Sequence, residues 1–94
     1  MRVVGKAVLE KAHKKHGDLA SPLAVWLKLA EASSWTSLND IRQTLPWTDA
    51  VGGRYVFNIK GNTYRLITTV NFMTSTIFID ALLTHAEYTK GDWK

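Results

Sequence analysis

The residues at positions 84–88, Thr-His-Ala-Glu-Tyr, gather several side chains that can hold or move a proton. His85 has the side chain whose unperturbed pKa, ~6.5, allows it to act as a general base or a general acid near neutrality. Tyr88 follows three residues later, so on a helical turn the two side chains share one side. Glu87 is a rival base, although Thr84 and Glu87 also fit a capping box, in which each side chain satisfies a backbone N–H. The segment therefore indicates acid–base chemistry, a plain helix start, or both.

The charge balance is compatible with a polyanionic partner. Twelve lysines and arginines against eight acidic residues give a net charge of +4. A basic surface attracts phosphate polyanions through long-range attraction and counterion release. A few additional lysines also serve solubility alone, so charge by itself leaves both interpretations open.

Composition excludes several classes of protein. The chain has no cysteine, which rules out disulfides and thiolate metal sites. Its three histidines have no carboxylate at ligand spacing, so we predict no metal site and no cofactor, and we place His13 and His16 on a helix surface. No apolar run reaches the ~20 residues that a membrane span needs, and the start has no signal-peptide core. We expect one cytoplasmic domain, residues 1–94, with no membrane contact.

The first half of the chain predicts helices. Apolar residues recur at helical spacing, and Ser21-Pro22 and Ser37 offer N-caps. We expect a short strand at 2–4 and helices at 5–16, 21–32 and 37–46. Three aromatic residues are expected to pack in the core or between helices rather than to bind a ligand: Trp26, Trp35 and Trp47.

The second half predicts an antiparallel meander. From residue 54 the apolar period becomes two, which indicates strands at 54–60, 63–70 and 76–83. Helices followed by such a meander define an α+β domain with two N-terminal helices on one face of the sheet. A two-residue loop at Gly61-Asn62 would pair Asn58 with Arg65. The face opposite the helices, here called the polar face, then carries Arg54, Val56, Asn58, Lys60, Thr63, Arg65, Ile67 and Thr69.

Two segments carry a resemblance to a known family. VFNIKGNTYRL at 56–66 and THAEY at 84–88 resemble the HigB family of toxins from bacterial toxin–antitoxin modules, within the RelE-like group of mRNA interferases. The resemblance runs from the first residues through Trp93. It implies a small RelE-like fold: an antiparallel sheet, two N-terminal helices and a short C-terminal helical turn.

The resemblance also implies a function and partners. Members of the family are understood to cleave mRNA in the ribosomal A site, on the 70S ribosome, and so to inhibit translation and growth. A HigA-type helix-turn-helix antitoxin neutralises them, and operator DNA is contacted only indirectly, through the antitoxin complex. Two positions depart from the family pattern: Lys60 replaces a glycine before the turn asparagine, and Asp80 stands where an arginine is usual. Asp80 should point to the polar face and weaken phosphate binding there.

Metal-free RNA cleavage needs a base for the ribose 2′-OH, an acid for the leaving 5′-oxygen and cations for the transition state. We expect Arg65 to be the main cation and Tyr88 to partner His85 or to stack on a base. The predicted catalytic residues are His85, Tyr88, Arg65 and Glu87. The predicted substrate-binding residues are Asn58, Lys60, Lys90 and Arg54.

Three alternatives are open: a non-catalytic binding module, a purely structural domain, which explains the basic face least well, and a weakened toxin. A non-catalytic module that binds RNA or a protein partner would also use a basic sheet face. A weakened toxin would follow from Asp80, unless Lys60 or Arg54 supplies the missing cation. His85 alone is also compatible with a structural histidine.

Overall fold

The computed structural model describes residues 1–93 and has the predicted α+β architecture. No helix in this part of the chain is long and apolar enough to cross a membrane. The elements in chain order are β1 (Arg2–Val4), α1 (Lys6–Lys15), a 3-10 turn (Gly17–Leu19), α2 (Ala20–Ala32), α3 (Leu38–Thr44), β2 (Asp49–Val51), β3 (Arg54–Ile59), β4 (Tyr64–Asn71), β5 (Thr76–Thr84) and α4 (His85–Lys90).

The sheet has five strands in the order β1-β5-β4-β3-β2. Its pairs are antiparallel except for β1, which runs parallel to β5 along the outer edge. A parallel neighbour requires a long crossover rather than a hairpin, and here the helices and the other strands lie between β1 and β5. The predicted meander is therefore the centre of a larger sheet.

The helices cover one face of this sheet and form the core with it. Phe57 in β3 is 1% exposed and lies between two rings, those of Trp26 at 5.3 Å and Trp35 at 6.2 Å between centroids. Leu66 and Ile77, from the two central strands, are fully buried in the same cluster. The predicted core position of Trp26 and Trp35 is confirmed.

The register of the central hairpin is as predicted. Asn58 pairs with Arg65, with Phe57 opposite Leu66 on one side of that pair and Ile59 opposite Tyr64 on the other. Because the flanking pairs belong to the helix-packed core, Asn58 and Arg65 point to the other face. Thr63 N–H donates to the Lys60 carbonyl at 3.2 Å across Gly61-Asn62, as the predicted turn requires, but strand pairing already stops at Ile59 and Tyr64.

Two local predictions are wrong. Helix α2 begins at Ala20 and not after Ser21, because the 3-10 turn leads directly into it and buries Leu19 at the junction. Strand β2 was not predicted at all. It pairs with β3 through a hairpin in which Gly52 and Gly53 both have positive φ, the conformation that a two-residue primed turn requires.

Candidate active site

Arg65 lies at the centre of the candidate site and is largely buried, at 8% exposure. Its Nη1 donates to the carbonyl oxygens of Asn62 at 3.1 Å and Tyr64 at 3.2 Å, and its Nη2 donates to Asn62 Oδ1. All of these acceptors are neutral. Among residues 1–93 no carboxylate pairs with this guanidinium, so its positive charge is oriented but not neutralised.

The Arg65 guanidinium keeps unused donors. It has five N–H groups, and three are used in the bonds above, which leaves Nε–H and one N–H of Nη2. In the described part of the chain, Trp26 Nε1 is the one fully buried side-chain nitrogen or oxygen that has no hydrogen-bond partner. The unpaired Nε of Arg65 is therefore not fully buried, and adjacent N–H groups of an arginine match two oxygens of a phosphate.

The ring of Tyr88 covers the guanidinium, and a second ring packs on Tyr88. Arg65 Cζ lies 5.3 Å from the centroid of the Tyr88 ring, within the range of a cation–π contact. Trp93 stacks on the same tyrosine, with centroids 5.1 Å apart and planes inclined by 16°, and its Nε1 donates to the Tyr88 carbonyl at 3.0 Å. Arg65, Tyr88 and Trp93 thus form a layered stack that fixes the tyrosine over the cation.

Helix α4 places His85 beside the hairpin loop. The predicted capping box is present: Thr84 N–H donates to Glu87 Oε1 at 2.9 Å, and Glu87 N–H donates to Thr84 Oγ1 at 3.2 Å. The backbone N–H of His85 donates to the Thr63 carbonyl at 3.0 Å, which ties the helix start to the loop. The His85 side chain is exposed, and its imidazole forms no hydrogen bond within residues 1–93.

Glu87 is occupied by this structural role. The hydrogen bond from the Thr84 backbone N–H, together with the nearby charges of Lys15 and His16, holds the pKa of the Glu87 carboxyl below its ordinary value. Its carboxylate borders a groove with α1, which those two basic residues also line. A carboxylate with a lowered pKa and a backbone partner is a weaker proton acceptor than a free imidazole.

Asp80 is paired, and its partner is Arg54. Arg54 Nη1 lies 2.7 Å from Asp80 Oδ2, and Thr69 Oγ1 donates to the same oxygen at 2.8 Å. Asp80 thus lies on the polar face, as predicted. The same pair engages the charge of Arg54, which counts against Arg54 as the replacement cation.

Lys60 lies on the other side of the sheet from Arg65, and the prediction that it belongs to the polar face is wrong. Its backbone has a positive φ of 53°, which turns the side chain towards the helices. There its Nζ lies 2.6 Å from Asp18 Oδ2, and Tyr64 donates to Asp18 as well. The ion pair with Lys60 lowers the pKa of Asp18 and raises that of Lys60.

The side chains of the remaining predicted residues, Lys90, Asn58 and Trp47, form no hydrogen bond with Arg65 or His85 within residues 1–93. Lys90 is exposed and lies 3.5 Å from Asp92. Asn58 is half-buried on the polar face beside Arg65, and its side chain forms no hydrogen bond within residues 1–93. Trp47, predicted to pack, is 78% exposed.

Sequence reasoning missed the parts played by two other residues. Asn62 orients Arg65, and Trp93 stacks on Tyr88. Two signals were available in the sequence: Asn62 is an amide residue in the loop before Arg65, and Trp93 follows Tyr88 by five residues.

The arrangement joins a fixed, unneutralised cation on one sheet face to a phenol and an exposed imidazole on the helix beside it. This combination can bind a phosphodiester and move a proton next to it. The small α+β fold and this combination of residues place the domain in the class of candidate phosphodiester-binding proteins. A sequence profile of the HigB toxin, described as the RelE-like toxic component of a toxin–antitoxin system, matches residues 19–91. The chain belongs to the HigB toxin family, as its two sequence segments had indicated.

One relative carries the name of a biochemical activity. The chain is similar to the mRNA interferase HigB of Escherichia coli (strain CFT073), with 27% identity over 93 residues, which is 96% of this chain and 90% of that protein. The similarity extends over both the hairpin and α4, the two elements that form the candidate site.

Proposed function

We propose that this toxin is a ribosome-dependent mRNA endoribonuclease, a metal-independent mRNA interferase that inhibits translation and growth. One observation carries the proposal. Arg65 is buried, has no anionic partner among residues 1–93, is held by Asn62 and Tyr88, and keeps N–H groups that no hydrogen bond within those residues uses. A cation oriented in this way before substrate arrives suits a transition state that accumulates negative charge. Similarity to an mRNA interferase supports RNA as the substrate.

The proposed reaction uses the residues around this cation. The ribose 2′-oxygen attacks the adjacent phosphorus, a base takes the 2′-proton, and an acid protonates the departing 5′-oxygen. The products are a 2′,3′-cyclic phosphate and a 5′-hydroxyl. His85 acts as base or acid, Tyr88 assists it or stacks on a base, and Arg65 stabilises the charged phosphorus centre. Asn58 contacts the substrate, and so does Lys90, whose ion pair with Asp92 is long and exposed and therefore weak. Arg54, Lys60 and Glu87 have stronger competing partners.

Dependence on the ribosome follows from the openness of the site. The candidate residues lie on a sheet face and an exposed helix start, and residues 1–93 form no deep cleft around them that would align the RNA. A ribosome that holds mRNA with the 2′-oxygen in line for attack supplies orientation, which is worth ~7–11 kcal/mol of a barrier. The substrate would be mRNA in the ribosomal A site, which places the protein in the cytoplasm.

The proposed protein partner is a cognate antitoxin of the HigA type. The family is the toxic component of a two-protein system, so a neutralising partner is expected. Operator DNA would be reached only through the complex with that partner, because the helix-turn-helix belongs to the antitoxin.

One observation favours a second version of this function, a weakened toxin. Asp80 adds an anion to the polar face and engages Arg54. A phosphate there meets one cation fewer than the family pattern would provide. The enzyme would then cleave by the same route at a lower rate.

Induced expression in a bacterial host tests the proposal. Wild-type protein should arrest growth, and His85→Ala and Arg65→Ala should relieve the arrest at equal protein levels. His13→Ala, an exposed histidine on α1, is the matched control and should remain toxic. Full toxicity of both site variants would contradict the proposal, and co-expression of the protein encoded beside this chain should restore growth.

A further inference from the structure

Trp47 is an exposed aromatic ring on a fixed piece of backbone. The ring is 78% exposed, whereas Trp26 and Trp35 are 4% and 5% exposed. The next residue, Thr48, is buried, and its N–H and Oγ1 both donate to the Leu45 carbonyl, at 3.1 and 2.9 Å. Arg42 Nε donates to the Thr48 carbonyl at 2.9 Å. These bonds fix the backbone next to Trp47, and the turn leaves its indole uncovered.

The ring forms one wall of a groove that leads to the candidate site. Trp47, Asn58, Gly61 and Asn62 line an open groove of about 490 Å³, within the range of about 300–1,000 Å³ common for small-ligand sites. Asn62 is also the residue that orients Arg65. The groove and the guanidinium therefore share Asn62, which lines the one and accepts hydrogen bonds from the other.

The groove offers the polar groups that recognise a nucleobase. The Asn58 amide forms no hydrogen bond within residues 1–93. Asn62 Oδ1 accepts from Arg65, which leaves its amide N–H groups without an acceptor in the same part of the chain. Asparagine amides can pair with base edges, and single-stranded RNA is recognised by such pairing combined with stacking on aromatic rings.

We propose that Trp47 stacks on a base of the mRNA that flanks the phosphate held at Arg65, with Asn58 and Asn62 at the edge of that base. The inference rests on the proposed function, because it assigns a base-binding subsite to the same reaction. It also explains why a large apolar ring faces solvent directly beside a cation-containing site. A single exposed apolar side chain would need no explanation, but this one shares a groove with the residue that orients Arg65.

Kinetics of cleavage of ribosome-bound reporter mRNA by the purified full chain test the inference. Trp47→Ala should raise KM about 5- to 150-fold, the range produced by loss of one base–aromatic stack, with a much smaller change in kcat. Trp47→Phe should restore most of the affinity, and Trp47→Leu, which keeps apolar volume without a π face, should not. Met73→Ala, at a side chain that is 98% exposed on the β4–β5 turn, is the matched control and should behave as wild type.

The outcomes separate this inference from the proposed function. If wild-type protein cleaves translated mRNA and Trp47→Ala or Trp47→Leu does so with the wild-type KM, the base-binding role of Trp47 is overturned while the endoribonuclease stands. Loss of neutralisation by the adjacent-gene protein, with KM unchanged, would instead assign the ring to a protein interface. If wild-type protein cleaves no mRNA, the proposed function itself fails. Thermal unfolding of each variant guards against misfolding, and Trp47→Phe gives a folded comparison.

Discussion

At the scale of single residues, the site depends on how one arginine is held. Arg65 is bound by Asn62 and covered by Tyr88, and its hydrogen bonds within the described chain go to neutral oxygens. A buried cation with an anionic partner would already be neutralised, so a phosphate would gain little from it. The absence of a carboxylate partner among residues 1–93 leaves the charge available to the substrate, in surroundings where charges interact more strongly than in water.

We predict that His85→Ala lowers kcat for cleavage of translated mRNA by ~10²–10⁴-fold, the usual contribution of a general acid or base. KM should change little. The melting temperature should also stay the same, since the side chain is exposed and makes no hydrogen bond in the described structure. The measurement is a single-turnover cleavage assay with His13→Ala as control. A His85→Ala enzyme that cleaves at the wild-type rate would exclude the histidine from catalysis.

Glu87 gives a prediction for stability against pH. Its folded-state pKa is lowered, chiefly by the Thr84 backbone hydrogen bond. The stabilisation is therefore complete above its ordinary value of 4.5 and is lost as the pH falls through the lowered value. Glu87→Gln keeps the hydrogen bond but not the charge, so its melting temperature should be lower than that of wild type at pH 7. This difference should shrink as the pH falls below 4.5.

The same variant separates the two candidate bases. Glu87→Gln should retain nearly all activity at pH 7, in contrast to His85→Ala. A loss of activity in Glu87→Gln as large as in His85→Ala, with the fold intact, would identify the glutamate as the base.

At the scale of elements, the β3–β4 hairpin and the start of α4 position the site. Their connection is direct, because β5 pairs with β4 and runs without a break into α4, bringing Thr84 opposite Tyr64. A register shift between Ile67 and Thr68 lies further along the same strand pair. Asp80 lies at this irregularity and pairs with Arg54. Its carboxylate is therefore several residues along the sheet from Arg65.

Removing the anion tests its effect. Asp80→Asn should free Arg54 and strengthen toxicity, and Asp80→Arg should strengthen it further by restoring the cation of the family pattern. Because the pair is partly exposed, its loss should cost no more than ~0.2–1 kcal/mol of stability. Growth arrest at matched expression and urea unfolding are the measurements. If Asp80→Asn abolishes activity in a folded protein, Asp80 orients a group that the reaction needs.

The predictable part of the structure was the part with local or periodic signals. Alternation in 54–70 gave the register that places Asn58 opposite Arg65, and Thr84 with Glu87 gave the start of α4. Strand β2 has three residues, too few to show a period, although Gly52-Gly53 is a recognisable turn signal.

What the sequence could not supply were directions and partners set by tertiary structure. The Lys60 side chain lies off the polar face because its backbone adopts a positive φ. Arg54 in β3 pairs with Asp80 in β5, two strands away. The exposure of Trp47 depends on how the turn before β2 is anchored. In each case the deciding contact joins residues that are distant in sequence or depends on one backbone dihedral angle.

At the scale of the whole molecule, small size and open shape limit what the protein can do alone. The principal extents are 32 × 25 × 21 Å, and the candidate residues lie on one sheet face, where Arg65 is 8% exposed, and on one short helix. The net charge of +4 favours approach to an RNA-rich particle but does not align a flexible RNA for in-line attack. In the proposed function, alignment comes from the ribosome that already holds the mRNA.

Cleavage of one reporter mRNA, translated and untranslated, by the same purified protein tests this directly. With active ribosomes, wild-type protein should cut the message at discrete positions and leave 2′,3′-cyclic phosphate ends, while Arg65→Ala and His85→Ala should not. The same RNA without ribosomes should be cut orders of magnitude more slowly, because orientation worth ~7–11 kcal/mol is missing. Equally fast cleavage of naked RNA, or none of translating mRNA by wild-type protein, would contradict a ribosome-dependent endoribonuclease.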